Sequence, residues 1–261
     1  VIDGFTSFCA AQAGDGFDPE AYASLAALEE DSFWFESRKL LIEWAIGRYF
    51  PSAHSLLEIG CGTGFVLSGL RLAFPHLRLT GAELHADGLL HARERLPDVE
   101  LLQFDARQIP FEGEFDVIGA FDVLEHIDDD VGVLVEMYRA LEPGGGLLIA
   151  VPQHQWLWSA ADDYGEHKRR YSRAELLTKV SAAGFSIRRV SSFVTFLLPA
   201  IAAVRLSERL KHRPFDPIGE LTASHRAPAI LRGVMSMERA LLTHGLDLPV
   251  GVSLLLVASR P

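Results

Sequence analysis

Residues Leu56 to Phe65 read LLEIGCGTGF. The stretch joins an apolar run to a carboxylate, Glu58, and then sets glycine at every second position: Gly60, Gly62 and Gly64. Glycine there removes Cβ atoms and permits positive φ, so something must pass close to the main chain. In an open α/β sheet the turn after the first strand borders the crevice where ligands bind, and the following helix presents free N–H groups to them. Two ligand classes compete for such a turn: a dinucleotide, or a nucleoside carrying an amino acid. The dinucleotide fingerprint G-x-G-x-x-G needs glycine at its sixth position. Counting from Gly60 that position is Phe65, and from Gly62 it is Leu67. The pattern that remains is E-x-G-x-G-x-G.

Short apolar runs alternate with helical patterns on either side. Strands are expected at SLLEIG, RLTGAEL, VELLQFDA, EFDVIGAFD and GLLIAVP, with helices near Gly64 to Phe74, Ala86 to Leu96 and Asp129 to Leu141. That alternation implies a parallel sheet covered on both faces. Upstream, FWFESRKLLIEWAIGRYF has helical spacing, and Asp18 with Pro19 forms a helix-start signal, so residues 1–50 read as a helical cap. Downstream, VPQHQWLWSAADDYGEHKRRY, residues 151–171, forms a long loop rich in aromatics and histidines. A helix starts at the capping box of Ser172 and Glu175 and stops before Gly184. Two strands, FSIRRVSSF and VSLLLVAS, complete the sheet, with residues 194–250 between them as a helical insertion broken at Pro214 and Pro217. The core is then 51–193 together with 251–261.

The chain has 261 residues, 24 Lys plus Arg against 35 Asp plus Glu, and a formal charge of −11. A nucleic-acid partner needs a basic stripe, and EHKRRYSR is too short to serve. Two cysteines, Cys9 and Cys61, make no disulfide framework, which points to a reducing, cytoplasmic setting. The longest apolar run, FVTFLLPAIAAV, is shorter than the roughly 20 residues of a membrane span. The chain starts at Val1, which reads as a trimmed start.

Two further carboxylates stand at strand ends. Glu83 closes the second strand, where a carboxylate accepts from both hydroxyls of a ribose; Leu84 follows it. Asp105 follows the third strand, where its carboxylate and the Ala106 N–H suit the exocyclic amine and ring nitrogen of adenine.

Taken in order, EIGCGTG, GAEL, FDARQIPF, FDVIGAFDVLEHIDD and LEPGGGLLIAVP resemble the successive motifs of class I S-adenosylmethionine-dependent methyltransferases, over about residues 30–190. Within that family the chain is similar to the small-molecule branch that includes ubiquinone-biosynthesis O-methyltransferases. DDYGEHKRRYSRAELLTKVSAAGF and the ending ERALLTHGLDLPVGVSLLLVASRP resemble bacterial methyltransferases that accompany polysaccharide or lipid glycosylation. The resemblance implies a Rossmann-like seven-stranded sheet of order 3-2-1-4-5-7-6 with strand 7 antiparallel. It also implies S-adenosylmethionine as cofactor and S-adenosylhomocysteine as product. Glu58, Gly60, Cys61, Gly62 and Gly64 would border the methionine part, Glu83 and Leu84 the ribose, and Asp105 and Ala106 the adenine. Phe121 and Asp122 would line the methyl-donor side.

Methyl transfer to oxygen asks the protein to bring the acceptor into line and to take its proton. His126 is the expected base, since an unperturbed imidazole titrates near roughly 6.5, with His154 as a second catalytic candidate at the end of the fifth strand. Asp122, Glu125 and His126 also form a divalent-metal set by residue type, but no metal is assigned. Trp156, Trp158, Tyr164, His167, Arg169 and Arg170 are the expected acceptor-binding residues, an aromatic wall with two guanidinium groups for an anion. Phe33, Trp34, Phe35 and Arg38 are placed to close over the cofactor, or, for the three aromatics, to pack an amphipathic helix on the core; both readings stay open. The expected reaction is methyl transfer to a small molecule, at oxygen. Lipid-linked and sugar-linked acceptors, peripheral membrane contact, and a monomer or a homodimer all stay open. Two rival readings are a catalytically silent cofactor-binding module and a nicotinamide oxidoreductase.

Overall fold

The computed structural model describes residues 4–8, 22–29, 32–211 and 229–261. The expected cap at Asp18 and Pro19, Cys9, and the breaks at Pro214 and Pro217 lie outside the described residues.

The glycine-rich stretch sits where its pattern puts it. Strand β2, Ser55–Ile59, is buried along its whole length and runs into the glycine turn, after which helix α3 covers Phe65–Ala73. The chain then alternates through β3 (Arg78–Glu83), α4 (Ala86–Arg95), β4 (Glu100–Gln103), β5 (Phe115–Phe121), α5 (Asp130–Ala140) and β6 (Leu141–Pro152). Asp129 caps α5 by accepting from the Gly132 N–H, and Ser172 caps α7 (Arg173–Ala182) by accepting from the Glu175 N–H. β7 (Ser186–Phe193) and β8 (Ser253–Ser259) finish the sheet.

Among the described residues the sheet has eight strands, with β1 (Thr6–Ser7) at one edge, in the order β1-β4-β3-β2-β5-β6-β8-β7. β8 is antiparallel to both neighbours and every other pairing is parallel. Without β1 this is the expected order, so the correction is one strand. β1, Thr6–Ser7, pairs with Leu102 and Gln103 at the edge, in a segment expected to be helical. Two residues are too few for a period to register in the sequence, and it is the burial of neighbouring Phe5 that ties them to the sheet.

Helices cover both faces because strand residues alternate between two cores. Leu56, Val117 and Leu148 face one buried cluster, and Leu57, Ile118 and Leu147 the other. The first cluster also takes Leu41 and Ile42 of α2 (Phe33–Tyr49) and Met235 and Leu242 of α9 (Ala229–Thr243), so both flanking helical segments pack on the sheet. Two short helices remain: α1 (Tyr22–Glu29), which packs on α4, and α6 (Ala160–Tyr164), inside the stretch expected to be loop. α8 covers Leu198–Lys211. No helix among the described residues is long and apolar enough to cross a membrane.

Candidate active site

A cavity of about 890 Å³ opens at the carboxyl ends of β2, β3 and β5, with walls from α1, α2 and α8. The glycine turn forms its floor. Gly60, Gly62 and Gly64 have φ of 65°, 51° and 75°, conformations strained for any residue with a Cβ. A Cβ on Gly60 would also stand 2.5 Å from the Val123 side chain.

The acids of this end are held in place. Glu83 accepts from the Gly62 N–H at 3.0 Å through one oxygen and from the Leu84 N–H at 2.7 Å through the other. Tyr22, reaching across from α1, donates its hydroxyl to the same carboxylate; burial first, and then Glu83, push the phenol far up. Asp105 and Ala106 line the cavity, but Asp105 is gripped by the Arg107 guanidinium and main-chain N–H. That grip holds its carboxyl below the usual range. Glu58 is buried, its Oε2 has no hydrogen-bond partner, and burial pushes its carboxyl well up. Arg38 of α2 forms an ion pair with Asp122 while its buried Nε is left without a partner. Asp122 has φ of 56° and Phe121 precedes it at the end of β5. The Cys61 thiol is buried and pushed well up by burial and by Glu83.

Beyond Asp122 a 3-10 turn, Leu124–His126, brings Glu125 and His126 against the loop after β6. Glu125 is fully buried with neither carboxylate oxygen hydrogen-bonded, and burial raises it to about 8. His126 lies edge-on to His167, ring centroids 4.7 Å apart. Burial first, and then His167, lower His126 to about 3. It is therefore a neutral and very weak base, contrary to the role expected from its unperturbed value. Glu125, His126 and His167 bring one donor atom each within 4.8 Å of one another. Asp122, grouped with Glu125 and His126 by sequence, is instead drawn to Arg38.

The acceptor-binding loop is corrected in part. Tyr164 and His167 line the cavity; Trp156, Trp158, Arg169 and Arg170 do not. Trp156 is 53% exposed, and Trp158 donates to Asp163. Arg169 pairs with Asp130 at 2.8 Å. Arg170 is buried on Asp162 at 2.7 Å, so its guanidinium serves the fold rather than a ligand. His154, also outside the cavity wall, stacks on Trp156, and burial and Arg170 lower its titration. A rich loop composition carries no information about which side chains turn inward.

Some of the site has no counterpart in the motif reading. Tyr22, Leu25 and Glu29 form one wall from α1, and Glu29 holds Thr63 of the glycine turn at 2.5 Å and Arg95 at 2.8 Å. Leu197 together with Ala200, Ile201 and Val204 of α8 forms an apolar wall opposite in character to the acids. Asp162, buried beneath His167, is the ion-pair centre of the loop.

Residues 57–149 match the family model described as a methyltransferase domain. The chain is 26% identical over 167 residues to a protein of Mycolicibacterium smegmatis named "Probable S-adenosylmethionine-dependent methyltransferase", 63% of either length. It is 34% identical over 102 residues to trans-aconitate 2-methyltransferase of Azoarcus sp. strain BH72, 39% of this chain and 40% of that one. It thus spans between two fifths and just under two thirds of these relatives. Its fold is similar to phosphoethanolamine N-methyltransferase 2 of Haemonchus contortus, solved with S-adenosyl-L-methionine: TM-score 0.56, 22% identity, 84% of this chain and 52% of the other. With its motif order, its strand order and these likenesses, the chain carries a methyltransferase domain over residues 57–149 and is similar to S-adenosylmethionine-dependent methyltransferases.

Proposed function

We propose that this protein transfers a methyl group from S-adenosylmethionine to an oxygen of a small molecule. The observation that carries the reading is the pair of buried, unpartnered atoms in one cavity, Glu58 Oε2 and Arg38 Nε. Buried polar groups without partners are costly, and a carboxylate beside a guanidinium suits a zwitterionic amino-acid end. When bound, the cofactor supplies an electrophilic methyl on a sulfonium. Glu58, Gly60, Cys61, Gly62 and Gly64 would border its methionyl part, with Arg38 reaching the carboxylate. Glu83 and Leu84 would meet the ribose, Asp105 and Ala106 the adenine, and Phe121 and Asp122 the methyl side.

The protein's own task is then to place the acceptor and exclude water. The apolar wall of Leu197, Ala200, Ile201 and Val204 supports an acceptor with an apolar body, lipid-linked in preference to sugar-linked. Tyr164 and His167 face the same space and would contact its polar end. The test incubates the protein with methyl-labelled S-adenosylmethionine and fractionated cell extract, and identifies labelled product by mass spectrometry. A labelled ether or ester in an organic-soluble fraction supports the reading. Label only on nitrogen or carbon overturns the oxygen acceptor, and no label in any fraction favours a silent cofactor-binding module.

A further inference from the structure

His126 leaves the reaction without a base, and the loop after β6 supplies another. His167 lines the cavity with its side chain 18% exposed, while Asp162, directly behind it, is completely buried. His167 Nδ1 stands 2.9 Å from Asp162 Oδ1. Asp162 is itself fixed from three further sides: the Arg170 Nε–H at 2.7 Å, the Ser159 N–H at 2.8 Å and the Ser159 hydroxyl at 3.3 Å. The hydrogen bond with His167, the Arg170 guanidinium and the Ser159 N–H outweigh burial and hold its carboxyl far below the usual range, so it is an anion, and the proton between the two side chains sits on Nδ1. Nε2 is then the imidazole nitrogen with a lone pair. A carboxylate that fixes tautomer and ring orientation, with the other nitrogen toward substrate, is the general arrangement of an oriented histidine base.

We propose that His167, oriented by Asp162, is the general base that takes the acceptor's proton, and that Asp162 is its positioning residue. This rests on the methyl-transfer reading above. In the step, the acceptor O–H bond breaks and its proton goes to Nε2 of His167. An oxygen lone pair forms the new bond to the methyl carbon, and the sulfur–methyl bond breaks with its electron pair returning to sulfur. The sulfonium charge is lost and one positive charge appears on the imidazolium, beside the Asp162 anion. His126 packs edge-on against that ring and stays neutral, so it adds no charge that would oppose the imidazolium.

The test compares wild type with His167→Gln, whose amide still donates to Asp162, and with Trp156→Ala as an exposed control outside the cavity. Binding of S-adenosylhomocysteine by calorimetry is measured beside labelled-methyl incorporation into the acceptor fraction. His167→Gln is expected to lose roughly 10²- to 10⁴-fold in turnover, the contribution of a positioned base, with affinity for S-adenosylhomocysteine within about threefold. Trp156→Ala is expected to keep turnover within about twofold. Independently of activity, long-range proton–nitrogen NMR on the complex with S-adenosylhomocysteine should give the Nδ1–H tautomer for His167, lost in Asp162→Asn. Turnover of His167→Gln near wild type, or an Nε2–H tautomer, overturns the assignment and leaves methyl transfer standing. So does activity abolished by a chelator and restored by a divalent cation, which would give the Glu125, His126 and His167 cluster to a metal. Failure of S-adenosylhomocysteine to bind the wild type, or no labelled product from it, removes the methyl-transfer reading and this inference with it.

Discussion

Replacing Glu125 by glutamine should flatten the fall of stability between pH 6.5 and 8. The carboxyl is fully buried, neither oxygen is hydrogen-bonded, and burial raises it to about 8. The unfolded chain titrates the same group near roughly 4.3. Between those values the native state holds a proton that the unfolded state has released, so this group's stabilising contribution is full below the unfolded value and is lost as pH rises toward 8. His126, lowered to about 3, works in the opposite sense, and its contribution changes only below about 6.5. The window from about 6.5 to 8 therefore isolates Glu125, at up to about 1.4 kcal/mol per pH unit and less near its own midpoint. Wild type should lose roughly 1.5 to 2 kcal/mol more than Glu125→Gln across it. Urea denaturation of both proteins at the two ends of the window measures the difference, and other buried acids that are pushed up, Glu58 and Glu238 among them, cancel because they are common to both. Parallel pH dependence in the two proteins would refute the reasoning that Glu125 is a buried neutral acid.

Two other substitutions probe the two ends of the cavity. Gly60→Ala puts a Cβ against Val123 in a positive-φ turn and should cost about 1–3 kcal/mol of stability, with at least roughly tenfold weaker binding of S-adenosylhomocysteine by calorimetry. Ile201→Glu sets a charge in the apolar wall of α8; labelled-methyl incorporation should fall at least roughly tenfold while S-adenosylhomocysteine affinity holds.

The sheet was legible because it rests on long, regular signals. Buried runs such as SLLEI, and a glycine turn whose Phe65 breaks the dinucleotide spacing, leave little freedom in strand order or ligand class. The edge pairing of Thr6 with Leu102 carried no such signal, because two residues have no period. That Glu83 and Asp105 share one cavity was readable, since they occupy strand ends that topology alone brings to one crevice. Contacts that cross the fold were not. Tyr22 reaches Glu83 from a helix some 60 residues earlier, and nothing local to either announces the contact. His126 looked like a base because its titration was read without its surroundings, which push it to about 3. Arg170 and His167 look alike as polar loop residues, yet one is spent on the buried Asp162 and the other also faces the cavity.

The central claim is that the cavity takes S-adenosylmethionine and its product. Calorimetric titration of the whole chain with S-adenosylhomocysteine, and separately with NAD, tests it most directly, with Glu83→Ala alongside. Glu83 holds the Gly62 N–H at 3.0 Å and accepts from Tyr22, so its loss should weaken binding by roughly 10- to 100-fold. The account predicts one S-adenosylhomocysteine bound per chain, that weakening in the variant, and no heat with NAD. Binding of NAD without S-adenosylhomocysteine, or equal S-adenosylhomocysteine affinity in Glu83→Ala and wild type, would contradict it.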